Sequence, residues 1–187
     1  MPLLSTTQQN SDQHYVTLSI RLHWLMFILI ALVYACIELR EFYPKGSDIR
    51  ECLKAWHFML GLLVLALVSF RIVIRLSAGP APSIVPTPPM WQTKLAAFVH
   101  FLLYVLMFAL PIAGWLMLSA AGKPIPFFGL ELPPLIDKQE ALAKSIKELH
   151  QTAGTFGYYL IGLHTIAALF HHHIAKDNTL IRMLPKK

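Results

Sequence analysis

Four apolar stretches dominate the chain, at about Thr17–Glu38, Ala55–Leu76, Lys94–Ala120 and Leu149–Ile174. About 20 helical residues, each adding about 1.5 Å, cross the hydrocarbon core of a bilayer. Inside that core every backbone polar group needs a partner within the protein, so stretches of this length can only be helices. Composition agrees: 56% of the 187 residues are hydrophobic and only 14% are charged, where a soluble domain carries about a quarter. The expected fold is all-α, an integral membrane four-helix bundle with residues 1–187 in one domain. Residues 1–16 read as a short polar tail, without the basic run and apolar core of a cleavable signal. Residues 175–187 read as a basic tail.

The connections follow from their prolines and glycines. Ser77 to Thr93 is proline-rich and cannot be a helix, so it reads as a membrane-surface crossing. Ala121 to Lys147 opens with GKPIPFFGLELPP and is expected to fold against the membrane face, ending in a short amphipathic helical segment at about Gln139–Glu148. Leu39 to Lys54 reads as a mixed-charge loop. Pro111 falls in the middle of the third span, where membrane bundles tolerate a kink.

The net charge of +6 marks loops and headgroup contacts in such a chain rather than nucleic acid. No basic stretch is interleaved with aromatics. Lys and Arg divide eight to eight between the two sides, so the positive-inside count is a tie. The bare basic tail favours both termini in the cytoplasm. Cys36 and Cys52 flank one loop without metal-motif spacing, and two free thiols are expected.

The chemistry lies in the histidines. His150 and His164 stand fourteen residues apart in the fourth span, on nearly one helical face and about 21 Å apart along the axis. Ionisable side chains in hydrocarbon are costly and usually functional. The same stripe holds Gly154, Gly157 and Ile161, and glycines beside an imidazole admit something flat and bulky. Spans two and four both start on the side away from the amino terminus, here the second side. His57 and His150 are therefore at one depth, while His23 enters from the first side as His164 approaches it. Two bis-histidine haem sites, one per leaflet, are the expectation. Two imidazoles on one iron leave no open coordination position, which suits electron transfer and needs no general acid or base.

Other readings stay open on depth alone. His100 or His171 could supply the second ligand of the first-side haem. A lone intramembrane histidine can also simply hydrogen-bond across helices, which would make this a haem-free membrane protein with packing histidines. Arg71 and Arg75 either neutralise haem propionates or snorkel and anchor the second helix.

Nearly all of the chain after Tyr15 resembles the bacterial cytochrome b561 family, and within it the superoxide-oxidising members. The resemblance is carried by LHWL (Leu22–Leu25), YACIELREFYP (Tyr34–Pro44), FALPIAG (Phe108–Gly114), FGLELP (Phe128–Pro133), IGLH (Ile161–His164) and KDNTLIRMLPKK (Lys176–Lys187). It implies a bacterial inner-membrane protein with two b haems, their irons held by His23, His57, His150 and His164. It implies that superoxide gives its electron from the periplasmic side and that ubiquinone in the membrane accepts it, with no obligate protein partner. Arg50, Lys54, Lys144 and Lys147 would then form a positive surface attracting superoxide. His171 is the candidate to hydrogen-bond or protonate the quinone. The b-type subunits of hydrogenases and formate dehydrogenases share the di-haem core, so a subunit coupling a dehydrogenase or hydrogenase to the quinone pool is the alternative.

Overall fold

The structure, a computed structural model, describes residues 14–185; the tail Met1–Gln13 and the terminal Lys186 and Lys187 lie outside the described residues. Four helices long and apolar enough to cross a membrane are present among them: α1 (Thr17–Leu39), α2 (Asp48–Ser77), α3 (Met90–Ala120) and α4 (Glu140–Phe170). A 3-10 turn, Arg40–Phe42, extends α1, and a π-helical turn, His171–Ala175, extends α4. The protein is the all-α membrane bundle that its hydropathy predicts.

The helix starts differ from expectation, for a physical reason. α2 begins at Asp48, inside what reads as a loop, because Ser47 Oγ accepts the Arg50 amide at 3.4 Å and Asp48 and Glu51 sit against the amino-terminal dipole. The expected amphipathic segment at Gln139–Glu148 is no separate element; it is the first part of α4, which runs unbroken from Glu140. Hydropathy marks only the part of a helix that hydrocarbon covers. The additional turns project α2 and α4 about 10 Å and about 13 Å further on the second side, at 1.5 Å per residue. α3 likewise takes in Met90–Thr93 from the end of the proline-rich crossing, and it continues through Pro111.

Between α3 and α4 lies a two-stranded antiparallel hairpin, β1 (Ile125–Phe127) with β2 (Leu130–Leu132), in register Phe127 to Leu130. Its two turn residues, Phe128 and Gly129, both have positive φ (48° and 86°), the geometry of a tight hairpin turn that matches strand twist. Ile125 is 2% exposed and packs with Leu62 and Leu118, so the hairpin is pinned onto α2 and α3.

α1 packs on α2, α3 packs on α4, and α2 meets α3, but the backbone of α4 scarcely comes within 8 Å of α1 or α2. Met26 and Leu29 of α1 bury against Leu60, Val64 and Val68 of α2. α4 faces α1 and α2 across a gap bridged only by side chains.

The described part of the carboxyl tail is tied down by hydrogen bonds. Asn178 exchanges backbone and side-chain hydrogen bonds with Val85 (Asn178 N to Val85 O 3.2 Å, Val85 N to Asn178 Oδ1 2.9 Å). Trp24 Nε1 donates to the Met183 carbonyl at 2.7 Å. Arg182 is 7% exposed and donates to the Pro82 carbonyl. The tail stitches the proline-rich crossing to the start of α1.

Candidate functional site

On the second side, His57 and His150 face each other with ring centroids 6.2 Å apart and planes at 73°. His57 Nδ1 lies 3.0 Å from the Val33 carbonyl. A carbonyl only accepts, so that nitrogen carries the proton and Nε2 is left with its lone pair, as in histidines that bind metals. His150 Nδ1 is buried without a hydrogen-bond partner. Both rings line a cavity of about 920 Å³ between α4 and the other helices.

Small residues shape this cavity. Gly61 follows His57 by one turn and Gly154 follows His150 by one turn; a Cβ at either would meet nothing within 4 Å, so each widens the space beside its imidazole. Gly157 behaves differently. A Cβ there would collide with the Tyr34 hydroxyl, which donates to the Gly154 carbonyl at 2.9 Å. This part of the glycine stripe is filled by Tyr34, not left open for a ligand. Tyr34 in turn packs on Tyr158 (centroids 4.2 Å apart), whose hydroxyl donates to Glu38 at 2.7 Å.

On the first side, His23 and His164 repeat the spacing, with centroids 6.2 Å apart and planes at 72°. His100 is closer to His164, at 5.1 Å, and its Nδ1 bonds the Ala96 carbonyl of its own helix at 2.6 Å. An imidazole nitrogen sits about 2 Å from a bound transition metal, and the ring centroid about 1 Å beyond it. Two rings opposed across one metal are therefore about 6 Å apart, which both 6.2 Å pairs meet and the 5.1 Å pair does not. Among the described residues no three His, Cys, Asp or Glu side chains gather to hold a bare ion. Sites with two donors suit an iron whose other positions a macrocycle fills, and the glycine-widened cavity suits that macrocycle.

Arg71 lies beside the three first-side rings and is held by the Ser19 carbonyl at 3.0 Å and the Tyr104 hydroxyl at 3.4 Å. Arg75 bonds the exposed Gly79 carbonyl at 2.9 Å, nearer the surface. His171 stands apart from both pairs, bonded through Nδ1 to Asp177 at 2.5 Å. Cys36 and Cys52 are free.

The expected cationic surface divides. Lys54, Lys144 and Lys147 line the cavity; Arg50 does not. Arg50 is 8% exposed, and its guanidinium donates to the Arg40 and Tyr43 carbonyls (2.8 and 2.9 Å) and to both Glu41 oxygens (3.1 and 3.0 Å). It builds the turn that joins α1 to α2, and its charge is already matched. Arg50→Ala is accordingly expected to lower stability by about 1–3 kcal/mol while leaving the salt dependence of any anion reaction unchanged; thermal melts and rates at two salt concentrations check this. Lys123, which sequence reading passes over because it lies in a loop, joins Lys54, Lys144 and Lys147 at the mouth. Lys54 is paired with Glu51 at 2.5 Å. Glu41 is taken by Arg40 and Arg50. Among the described residues Lys123, Lys144 and Lys147 have no carboxylate partner within 4.0 Å, so the mouth is net positive.

A family model described as prokaryotic cytochrome b561 matches residues 14–186. The chain is 40% identical over 168 residues to cytochrome b561 homolog 1 of Escherichia coli (strain K12), covering 90% of this chain and 95% of that one. It is 40% identical over 173 residues to a protein of Yersinia pestis named probable superoxide oxidase CybB, covering 92% and 97%. A third relative, cytochrome b561 homolog 2 of E. coli (strain K12), is 32% identical over 189 residues, covering 95% and 94%.

Proposed function

This chain belongs to the prokaryotic cytochrome b561 family of membrane electron-transfer proteins, and from that premise we propose that it is a two-haem superoxide oxidase delivering electrons to ubiquinone. The observation that carries the reading is the repeated 6.2 Å spacing of two facing histidine pairs at two depths, the outer pair opening on a net positive cavity. The Yersinia pestis relative named as a probable superoxide oxidase supports the choice of donor.

His57 and His150 would hold the haem nearer the second side, and His23 and His164 the other. Haem iron held by two imidazoles supplies one-electron chemistry without an open coordination position. The Val33 carbonyl accepts the Nδ1–H of His57 and leaves Nε2 with its lone pair, the nitrogen that would hold the iron. Lys123, Lys144 and Lys147 raise the local concentration of a small anion at the mouth. Superoxide loses one electron and leaves as dioxygen; no proton moves at this end. Two such electrons and two protons convert ubiquinone to ubiquinol on the first side, near His171. The second side is periplasmic in this reading, with both termini in the cytoplasm of a bacterium whose inner membrane holds the protein.

Pyridine haemochrome analysis with protein quantification, followed by superoxide-driven reduction of ubiquinone-1, tests the reading. The expected result is two b haems per chain and quinol formation whose rate falls as salt rises. One haem, or a superoxide reaction that is absent or indifferent to salt, would sink it.

A further inference from the structure

The first-side end of α4 holds a polar unit outside both histidine pairs. His171 opens the π-helical turn, and after Lys176, in the left-handed region at φ 53°, the chain doubles back. The reversal brings Asp177 Oδ2 to 2.5 Å from His171 Nδ1, with side chains 2% and 16% exposed. Asp177 Oδ1 accepts the Thr179 amide at 2.8 Å, and the Asp177 amide donates to the His171 carbonyl at 3.1 Å. Burial pushes the Asp177 carboxyl up, but the hydrogen bonds from Thr179 and His171 outweigh it and hold the group below the usual carboxylate range. An ionised carboxylate only accepts, so His171 Nδ1 carries the proton and Nε2 is the free end of the ring.

Among the described residues Asp177 is the only acid at ion-pair distance from His171. The other charged or titratable groups nearby in sequence are His172, His173 and Lys176, exposed or half-exposed on the same turn. Arg182, on the tail, is committed to the Pro82 carbonyl and lies 5.6 Å from the centroid of the Tyr15 ring. A buried carboxylate is costly unless a cation or donor matches it, and at 2.5 Å the His171 ring supplies that donor.

We propose that Asp177 is a positioning residue that makes His171 the proton donor to a quinone bound on the first side. The inference rests on the proposed function, which supplies the electrons. Quinone plus two electrons and two protons gives quinol. The electrons originate from two superoxide ions; one proton leaves His171 Nε2 for a quinone carbonyl oxygen, and the second comes from water. His171 then regains its proton from water on the first side. Asp177 stays ionised throughout, fixes the tautomer and balances the imidazolium, the role a carboxylate plays behind a catalytic histidine. A carboxylate that merely ended the helix would affect stability and leave the proton step alone.

The test follows reoxidation of the pre-reduced holoprotein by ubiquinone-1 from pH 5 to 9. Asp177→Asn is expected to keep both haem spectra, to slow reoxidation at least about tenfold, and to move the alkaline fall in rate to lower pH. Asp177→Glu should recover part of both effects. Asn178→Ala, which loosens the tail stitch alone, should keep the wild-type pH profile. ¹⁵N-histidine spectra, with His171 assigned through His171→Gln, should show Nδ1 protonated in the wild type and no longer fixed in Asp177→Asn. A wild-type rate and pH profile in Asp177→Asn would overturn the inference. If that variant does not fold, His171→Gln decides: a retained alkaline limb overturns the inference, and its loss supports it. A wild-type protein that ubiquinone-1 cannot reoxidise at any pH would instead overturn the proposed function.

Discussion

Replacing His57 by alanine is expected to remove one haem and leave the other, so that the haemochrome count falls from two per chain to one. The reasoning is geometric. The Val33 carbonyl bonds His57 Nδ1 and leaves Nε2 free, and His150 faces the ring at 6.2 Å between centroids. His150 alone offers one nitrogen, and among the described residues the histidines lining that cavity are His57 and His150. The first-side pair is about 21 Å away along α4, at 1.5 Å per residue, and α1 and α2 remain packed through Met26, Leu29, Leu60 and Val64. His150→Ala should give the same count. The measurement is haem per folded chain, with circular dichroism confirming helix content. Loss of both haems from a folded variant would mean that the ligands are paired differently, with α4 holding its cofactors by another arrangement. Retention of both would remove His57 from the ligand set.

Reversing charge at the cavity mouth should produce the second large effect. Lys144→Glu with Lys147→Glu replaces two unpaired cations by two anions on the projecting part of α4. Electrostatic steering raises association rates by about 10–10³-fold, so the superoxide reaction at low salt is expected to slow by about 10- to 100-fold. Screening lengths shrink from about 30 Å at 0.01 M to about 10 Å at 0.1 M ionic strength. The variant's rate should therefore rise slightly with salt, while that of the wild type falls. Reduction by a neutral donor should be unchanged, which separates steering from damage to the haem site. Equal superoxide rates in both proteins would remove the mouth lysines from the reaction. Adding Lys123→Glu should deepen the effect, because Lys123 lines the same opening.

Much of this could be read before any coordinates. Helical rise and the thickness of hydrocarbon are local constraints, so four spans and their alternating direction follow from apolar length. Once direction is known, residue number becomes depth, and that puts His57 level with His150 and leaves His23 and His100 as rival partners for His164. The errors at the helix starts did not disturb it. α2 and α4 both begin earlier than hydropathy suggests, by similar amounts and on the same side, so their histidines stay level.

What depth cannot say is which side chains meet at a given level. Arg50 and Lys54 look alike in sequence, two basic residues near one helix start. Only the fold shows that the α1–α2 turn wraps Arg50 in Glu41 and two carbonyls and leaves Lys54 at the cavity. Gly154 and Gly157 look alike on one stripe, yet Tyr34, 120 positions away from Gly154, fills the space at Gly157 and not at Gly154. His100 and His23 compete at one depth, and the spacing of their rings from His164 separates them. Asp177 reads as part of a basic tail until the chain reverses and seats it against His171. Alone, the sequence determined the spans, their direction and the depth of each histidine, because these depend on backbone geometry and the bilayer. The tertiary structure decided which charges are matched, which glycines are open and which imidazoles face, because each of those depends on a partner from a distant part of the chain.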